Sequence, residues 1–350
     1  MSVRRTLFRW GLAAIHRSRA DRWLAPAARG CGVILMLHHV RPWRPRGFAP
    51  NRILEITPEF LDSVLRCVAE EGFEFVAMDE VPERLRRGKQ GRPFVAVTFD
   101  DGYRDNVLYA APVLDRHGAP WTMFVTTGFA ERTASLWWLE LEEAIRRLDH
   151  VALTIDGTRR CWPCRNDGEK SAAFDEIYWD LRAGREERLR EVVGILAAQA
   201  SVEGRALVEH LCLDWQGIAE LARHRGVTIG AHTLTHPMLA KHSEAVARSE
   251  IVEAKSLIEA RIGRSVRHLA YPVGDRGAAG PREFTLAREA GYATAVTTRP
   301  GHLFPEHDAH LTALPRVSIN GAFQTKGAVR ALLSGVPFLL WNRARRTSVT

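Results

Sequence analysis

Two kinds of hydrophobic pattern alternate along this chain. Apolar runs of five or six residues, among them GVILML, FVAVTF, WTMFV, VTIGA and TAVTT, have the composition of strands buried on both faces. Between them lie stretches whose apolar residues recur three and four positions apart. TPEFLDSVLRCVAEEG is the best punctuated, with Phe60, Val64, Leu65 and Val68 on one face, Thr57 as N-cap, Pro58 in the first turn and Gly72 at the stop. Strand and helix taking turns in this way predict a parallel α/β architecture.

The alternation breaks between about residues 130 and 212. SLWWLELEEAIRRL reads as a helix, VALTIDGTRRCW as a hairpin closed at Asp156-Gly157, and SAAFDEIYWDLRAGREERLREVVGILAAQA as a charged helical region. This stretch is expected to be an insertion over the mouth of the main domain. The strand–helix rhythm resumes at Trp215 and runs to LPRVSI. The chain therefore divides into a basic N-terminal segment (1–29), one barrel-sized domain (30–325) carrying the insertion, and a basic C-terminal tail (326–350).

Charge narrows the choice of partner. The formal net charge is +8 and the pI about 9.6, which favours anionic partners. The arginines are scattered along the chain, and only the ends concentrate charge, with Arg4, Arg5, Arg9, Arg17, Arg19 and Arg22 near one terminus and Arg343, Arg345 and Arg346 near the other. No nucleic-acid module accompanies them, so nucleic acid is not the expected partner. The apolar part of the N-terminus is interrupted by His16 and Arg17 before it reaches signal-peptide length, and no run approaches the ~18 apolar residues of a membrane span. A cytoplasmic protein, touching the inner membrane peripherally through its basic ends, is the expectation; a frayed end is the plainer alternative. Five cysteines form no even framework, which points to a reducing compartment, and Cys161 and Cys164 in CWPC follow a hairpin rather than open a helix, so they read as an incidental pair.

Two clusters carry candidate chemistry. In VAVTFDDGY an apolar strand ends in Asp100 and Asp101, and two adjacent carboxylates at a buried strand end repel unless a cation or a proton lies between them. The alternative is an ordinary Asp-Gly turn. In IGAHTLTHP a second strand end is followed by His232 and His236, whose neutral imidazoles suit zinc and similar metals. Together with Asp101 they make an Asp-His-His set that leaves coordination positions open, the pattern of catalytic rather than structural zinc. Trp137 and Trp138 in the insertion, with Trp162, have faces on which sugars stack, or else they pack the insertion onto the barrel.

TFDDGY and HTLTH resemble the first two motifs of the polysaccharide deacetylases, the NodB-homology family of carbohydrate esterases, and LAYPVGD (Leu269 to Asp275) resembles the third. The resemblance implies a distorted (β/α) barrel and metal-dependent removal of an acetyl group from a sugar. It implies Asp100 as general base, Asp101, His232 and His236 as ligands of one divalent metal (zinc first, cobalt or nickel next), Val273 as backbone N–H donor to the oxyanion, and Tyr271 and Pro272 beside the substrate. Two departures stand out. The arginine that often precedes the third motif is replaced by Ala270, leaving Arg316 in LPRVSI as candidate substitute, with a surface position equally open. The late Leu-x-His that supplies the general acid is missing, and His302, His307 and His310 lie in a loop without a strand to position them.

The opening strand offers a replacement. GVILMLHHV ends in His38 and His39, and resembles the first strand of the deacetylase branch linked to biofilm poly-N-acetylglucosamine, in which the late motif has moved to the front. Neighbouring strand residues face opposite ways, so one histidine is expected in the mouth, His38, with His39 turned away. The expected function is deacetylation of an N-acetylated glycan. A catalytically silent carbohydrate-binding barrel is the competing reading, and two-metal phosphoester hydrolysis would require more carboxylates than these.

Overall fold

The computed structural model describes residues 3–155, 157–343 and 345–347, with side chains from residue 8 onward except that of Ile155; the Arg4 and Arg5 side chains and the hairpin residue Asp156 lie outside the described residues. Seven parallel strands close into a barrel. In order around the ring they are Gly32–Leu37, Leu314–Ser318, Thr294–Pro300, His268–Ala270, Val227–Ala231, Trp121–Val125 and Phe94–Phe99, the last of which pairs back onto the first. A short strand, Glu74–Phe75, flanks the lower half of Phe94–Phe99. This is the NodB-type (β/α) barrel.

Period-two alternation sorts each strand into two layers. Ile34, Phe94, Ala96, Phe124, Ala270, Val296 and Leu314 fill the barrel interior, while Val33, Leu35, Val95, Val97, Phe99 and Val317 face outward into the layer beneath the helices. The interior is tight enough to select glycine. A Cβ on Gly32 would lie 2.3 Å from the Phe94 ring, and one on Gly230 would lie 2.5 Å from the Phe124 ring. The helix expected after residue 57 spans Pro58–Glu70, and Thr57 Oγ1 accepts the Phe60 N–H at 3.1 Å as its cap. Its residues Phe60, Leu61, Val64, Leu65 and Val68 are buried against the strands.

The insertion is a second, smaller core. Helices Trp137–Arg147, Asp167–Ala183, Glu186–Gln199 and Gly204–Leu211 and the hairpin His150–Ile155/Thr158–Pro163 gather around Leu141, Ile145, Phe174, Ile177, Leu189 and Leu196. Phe48, Tyr103, Met238 and Ala278 of the barrel loops join that core and fasten it to the mouth. Trp162 is buried within it, so its ring packs.

The C-terminal stretch is not a tail. Lys326–Leu333 and Val336–Trp341 are helices, and Ala328, Val329, Ala331, Leu332, Leu333 and Phe338 belong to the main core. The N-terminal helix Val3–Arg17 packs on both, with Leu12 buried and the Phe8 ring 5.7 Å from Phe323 and 5.9 Å from Trp341. The apolar residues of 326–341 recur at helical spacing, and their burial outweighs the pull of the arginines beyond them.

His302 and His307 are structural, and lie away from the mouth. His302 Nε2 donates to Leu332 O at 2.8 Å while its Nδ1 accepts the Gly30 N–H at 3.3 Å, tying together the start of the barrel and a C-terminal helix. Burial lowers both His302 and His307 to about 4. Because the unfolded chain takes up these protons near pH 6.5, each neutral histidine contributes stability that is complete above about pH 6.5 and is lost as pH falls through about 4, on the order of 3 kcal/mol. Chemical denaturation between these pH values should show that dependence. His302→Gln should flatten it by about one proton, whereas an unchanged slope would remove His302 from this account.

Candidate active site

The strand Phe94–Phe99 delivers Asp100 and Asp101 into the mouth, both buried. Asp100 is met by Arg316, whose two terminal nitrogens donate to the two carboxylate oxygens at 2.7 Å each. Arg316 also donates from Nε to Thr297 O at 2.9 Å and from Nη1 to Thr98 Oγ1 at 3.2 Å, and its side chain is 0% exposed. Burial would raise the Asp100 pKa, but the Arg316 charge, aided by His232 and the two hydrogen bonds, holds it below the ordinary carboxylate value. The position of Arg316 follows from alternation: Leu314 is inside the barrel, so Arg316, two residues on, is inside as well.

Asp101 faces the two histidines. Its Oδ1 is 3.4 Å from His232 Nε2 and 3.3 Å from His236 Nε2. One ligand atom from each of the three residues lies within 4.8 Å of the others, and all three side chains are buried. The tautomer of His232 is set by its other nitrogen, since Nδ1 is 2.7 Å from Ala270 O, and a carbonyl only accepts. A neutral His232 therefore turns the lone pair of Nε2 toward a carboxylate oxygen. Two acceptors at that distance repel unless a proton or a cation sits between them. The electrostatics agree, because despite burial His232 is raised by Asp101 and Asp100, and Asp101 is held well below the carboxylate range, burial opposing and the histidine contacts prevailing. A divalent metal fits this donor set, and one aspartate with two imidazoles suits zinc, with cobalt and nickel compatible.

The backbone around the cluster is strained. Asp101, Thr233, His236 and Val273 all have positive φ, from 60° to 72°, a region that β-branched Thr and Val seldom adopt. Glu250 offsets this by accepting from Leu234 N at 2.8 Å, Thr235 N at 2.9 Å and Thr235 Oγ1 at 2.6 Å. From the insertion, Glu186 accepts the Met238 N–H at 2.7 Å and Arg190 donates to Thr235 O and His236 O at 3.2 Å. These three charged residues hold the histidine loop, and nothing in their helical spacing distinguishes them from a solvated face.

The two histidines of the opening strand separate. The barrel strand stops at Leu37, and His39–Val40 pairs with Glu55–Ile56 outside the barrel. His38 sits at the break and lines the cleft with Met36, its Nε2 4.0 Å from Asp100 Oδ2. Burial pushes it below the ordinary imidazole value, against the pull of Asp101 and Asp100. His39 turns away. Its Nδ1 is 2.6 Å from Asp105 Oδ2 and its ring stacks on Tyr103, centroids 3.6 Å apart.

These groups share a cleft of about 270 Å³. Asn51 and Leu54 form one wall, Trp137 and Trp138 a second, Tyr178, Trp179 and Arg182 a third, and Val273, from the third motif, a fourth side. Trp137 and Trp138 reach the cleft while packed: Trp137 stacks on Tyr178 at 5.4 Å, and the Trp138 ring lies 4.9 Å from that of His236. Trp179, 58% exposed at the rim, is a cleft residue that sequence reasoning missed, because its helix shows little amphipathic pattern. Tyr271 and Pro272 are corrections. Tyr271 is buried under Phe284 with its hydroxyl donating to Thr312 O at 2.8 Å, and Pro272 is buried and does not line the cleft. The side chain of Tyr271 leaves on the outward face of its strand, where the core takes it.

Comparison with known proteins resolves the family. The polysaccharide deacetylase family model matches residues 87–155 and 170–295, more than half of the chain. The chain belongs to the polysaccharide deacetylase family. This membership brings hydrolytic deacetylation and a glycan substrate with it. YxkH of Bacillus subtilis (strain 168), which carries a polysaccharide deacetylase designation, is 21% identical over 290 residues, 82% of this chain and 71% of its own. Among solved structures, Streptococcus pyogenes deacetylase PplD in complex with acetate aligns with a TM-score of 0.55 at 20% identity, covering 83% of this chain and 92% of its own. IcaB from Ammonifex degensii aligns with a TM-score of 0.54 at 18% identity, covering 87% and 97%. At those identities the structures bear on the fold, and they share the deacetylase barrel.

The Arg316–Asp100 pair generates a stability prediction for this deacetylase. Arg316→Met leaves a buried carboxylate uncompensated and should destabilise the protein by about 3–5 kcal/mol. Adding Asp100→Asn to that variant removes the stranded charge and should recover more than half of the loss in urea denaturation. A double variant no more stable than Arg316→Met would show that Arg316 acts through packing alone.

Proposed function

We propose that this deacetylase removes an N-acetyl or other short acyl group from a sugar of a bacterial glycan, with one divalent metal held by Asp101, His232 and His236. One observation carries the reading. An ionised aspartate, Asp100, lies between a fixed arginine and a histidine, His38, in the cleft that holds the three candidate ligands. A cation bound there would acidify a water and polarise the acyl carbonyl. The remaining work falls to the chain. Asp100, kept ionised and oriented by Arg316, accepts the proton of the attacking water. The backbone N–H of Val273, set by its left-handed conformation, donates to the carbonyl oxygen as it gains charge. The proton taken by Asp100 passes to His38, whose Nε2 is 4.0 Å from Asp100 Oδ2, and His38 delivers it to the departing nitrogen as the C–N bond breaks, so that a neutral amine leaves. Arg316 takes the part that an arginine at position 270 would play, from another strand. The rings of Trp137, Trp138 and Trp179 supply stacking faces for the sugar, so the insertion from about 130 to 212 sets substrate choice.

Acetate release from N-acetylated oligosaccharides, measured with metal content, tests the roles separately. Asp101→Ala and His236→Ala should lose metal and turnover together. Asp100→Asn should keep metal and lose turnover, and His38→Ala should keep metal and lose roughly 10² to 10⁴ in rate. His39→Ala should lower stability, through the stranded Asp105, far more than rate. Full metal occupancy in both ligand variants would end the metal assignment. A large rate loss in His39→Ala with none in His38→Ala would end that of the general acid. Glycan binding without acetate release by the native protein would favour the silent barrel.

A further inference from the structure

The largest exposed apolar side chains are concentrated at the two ends of the chain. Trp23 is 81% exposed, Leu340 76%, Trp341 62%, Trp10 59% and Leu24 49%. All but Leu24, which joins two of them, sit on helices that touch one another: Val3–Arg17 packs on Ala20–Trp23 and on Val336–Trp341, which in turn packs on Ala25–Ala28. On the first helix Leu12 is buried and Trp10 points to solvent, so its tryptophan is not spare core. Elsewhere an exposed tryptophan has a local use: Trp43 lies under the Arg52 guanidinium, and Trp179 is at the cleft rim.

The exposed charge that the terminal segments themselves contribute beside these rings is positive, although Arg29, Arg330 and Arg346 are paired with Glu71, Glu70 and Glu306 of the barrel. Arg9, Arg17, Arg19, Arg22, Arg343 and Arg345 are exposed, and none is in an ion pair among the described residues. Asp21 is the sole carboxylate of residues 1–29, buried and paired with His16 at 2.7 Å, and residues 326–350 contain none. The whole positive excess of the chain therefore resides in the terminal segments, and the rest is weakly acidic. A cavity of about 450 Å³ is lined by Arg22, which precedes Trp23, by Lys89 and Arg92, by Arg29, which is paired with Glu71 at 3.1 Å, and by Gly30 and Gly91.

We infer that the terminal helices form a docking surface for an anionic lipid bilayer. Tryptophan and leucine prefer the boundary between headgroups and acyl chains, and arginines beside them meet lipid phosphates. The basic cavity is large enough for a headgroup. Among the described residues no helix is long and apolar enough to cross a membrane, so the helices lie on the surface. Arg9 also lines a depression with Pro50, Ile53 and Asp175, three residues that line the catalytic cleft. The patch thus runs along the side of the barrel, from the basic cavity below Gly32–Leu37 and Phe94–Phe99 to Arg9 at the rim of the cleft, and a molecule docked along its whole length holds the mouth at the edge of the contact, open to a lipid-linked glycan; this last consequence rests on the deacetylase reading, whereas the docking does not.

Flotation of the full chain with vesicles tests the surface without any turnover. Vesicles with about one-third phosphatidylglycerol should bind at least about tenfold more protein than pure phosphatidylcholine, and binding should weaken as salt rises. Trp23→Ala combined with Leu340→Ala, at side chains too exposed to hold the fold, should lower binding by about tenfold or more, and Arg22→Glu should do likewise. Leu108→Ala, exposed elsewhere, should leave it unchanged, and thermal melts should match for all variants. No preference for anionic vesicles, or equal binding by the Trp23/Leu340 variant, would overturn the inference. So would a concentration-dependent dimer that the same variant converts to monomer, since the patch would then be covered by a second copy. Loss of acetate release with vesicle binding intact would count against the deacetylase reading alone.

Discussion

Two neighbouring carboxylates buried at the end of one strand are the constraint to which this structure answers. An ionised carboxylate away from water is stable only when its charge is met and its oxygens are hydrogen-bonded. Asp100 is met by a buried arginine, and Asp101 by two imidazoles that together call for a proton or a cation. Neither answer comes from the strand itself. Arg316 is on a strand two places around the ring, beyond Gly32–Leu37, and the histidines follow a strand two places the other way, beyond Trp121–Val125. Closure of the barrel is therefore a condition for having the site at all.

The same economy governs the insertion. It buries its own small core, yet its helices also face the cleft and grip the loop that bears His232 and His236 through Glu186 and Arg190. Strain at Thr233 and His236 persists because these contacts and those of Glu250 over-determine the loop. A part of the chain that varies the walls of the mouth is in this way coupled to the geometry of the candidate ligands.

At the opposite ends of the sequence, the terminal helices pack on each other and on the barrel, and His302 bridges the backbone of Gly30 to that of Leu332. Apolar burial on the inner face fixes the helices in place. Their outer face keeps exposed tryptophans, and arginines of which Arg9, Arg17, Arg19, Arg22, Arg343 and Arg345 have no ion pair among the described residues, and this division of faces is what makes them a surface rather than a loose end.

The sequence by itself determined the α/β alternation, the helix after Thr57, the hairpin of the insertion, and the two motifs that put carboxylates and histidines at strand ends, because these depend on period, capping and spacing within a few residues. It also separated His38 from His39, since alternation is local. Only the tertiary structure decided that Arg316 reaches Asp100, that Tyr271 is core, that Trp179 and Glu186 belong to the mouth, and that residues 326–341 close the barrel's outer layer. Each of those depends on a partner far away in sequence: a guanidinium has the same local pattern whether it faces water or a carboxylate, and its role is set by what barrel closure brings opposite it.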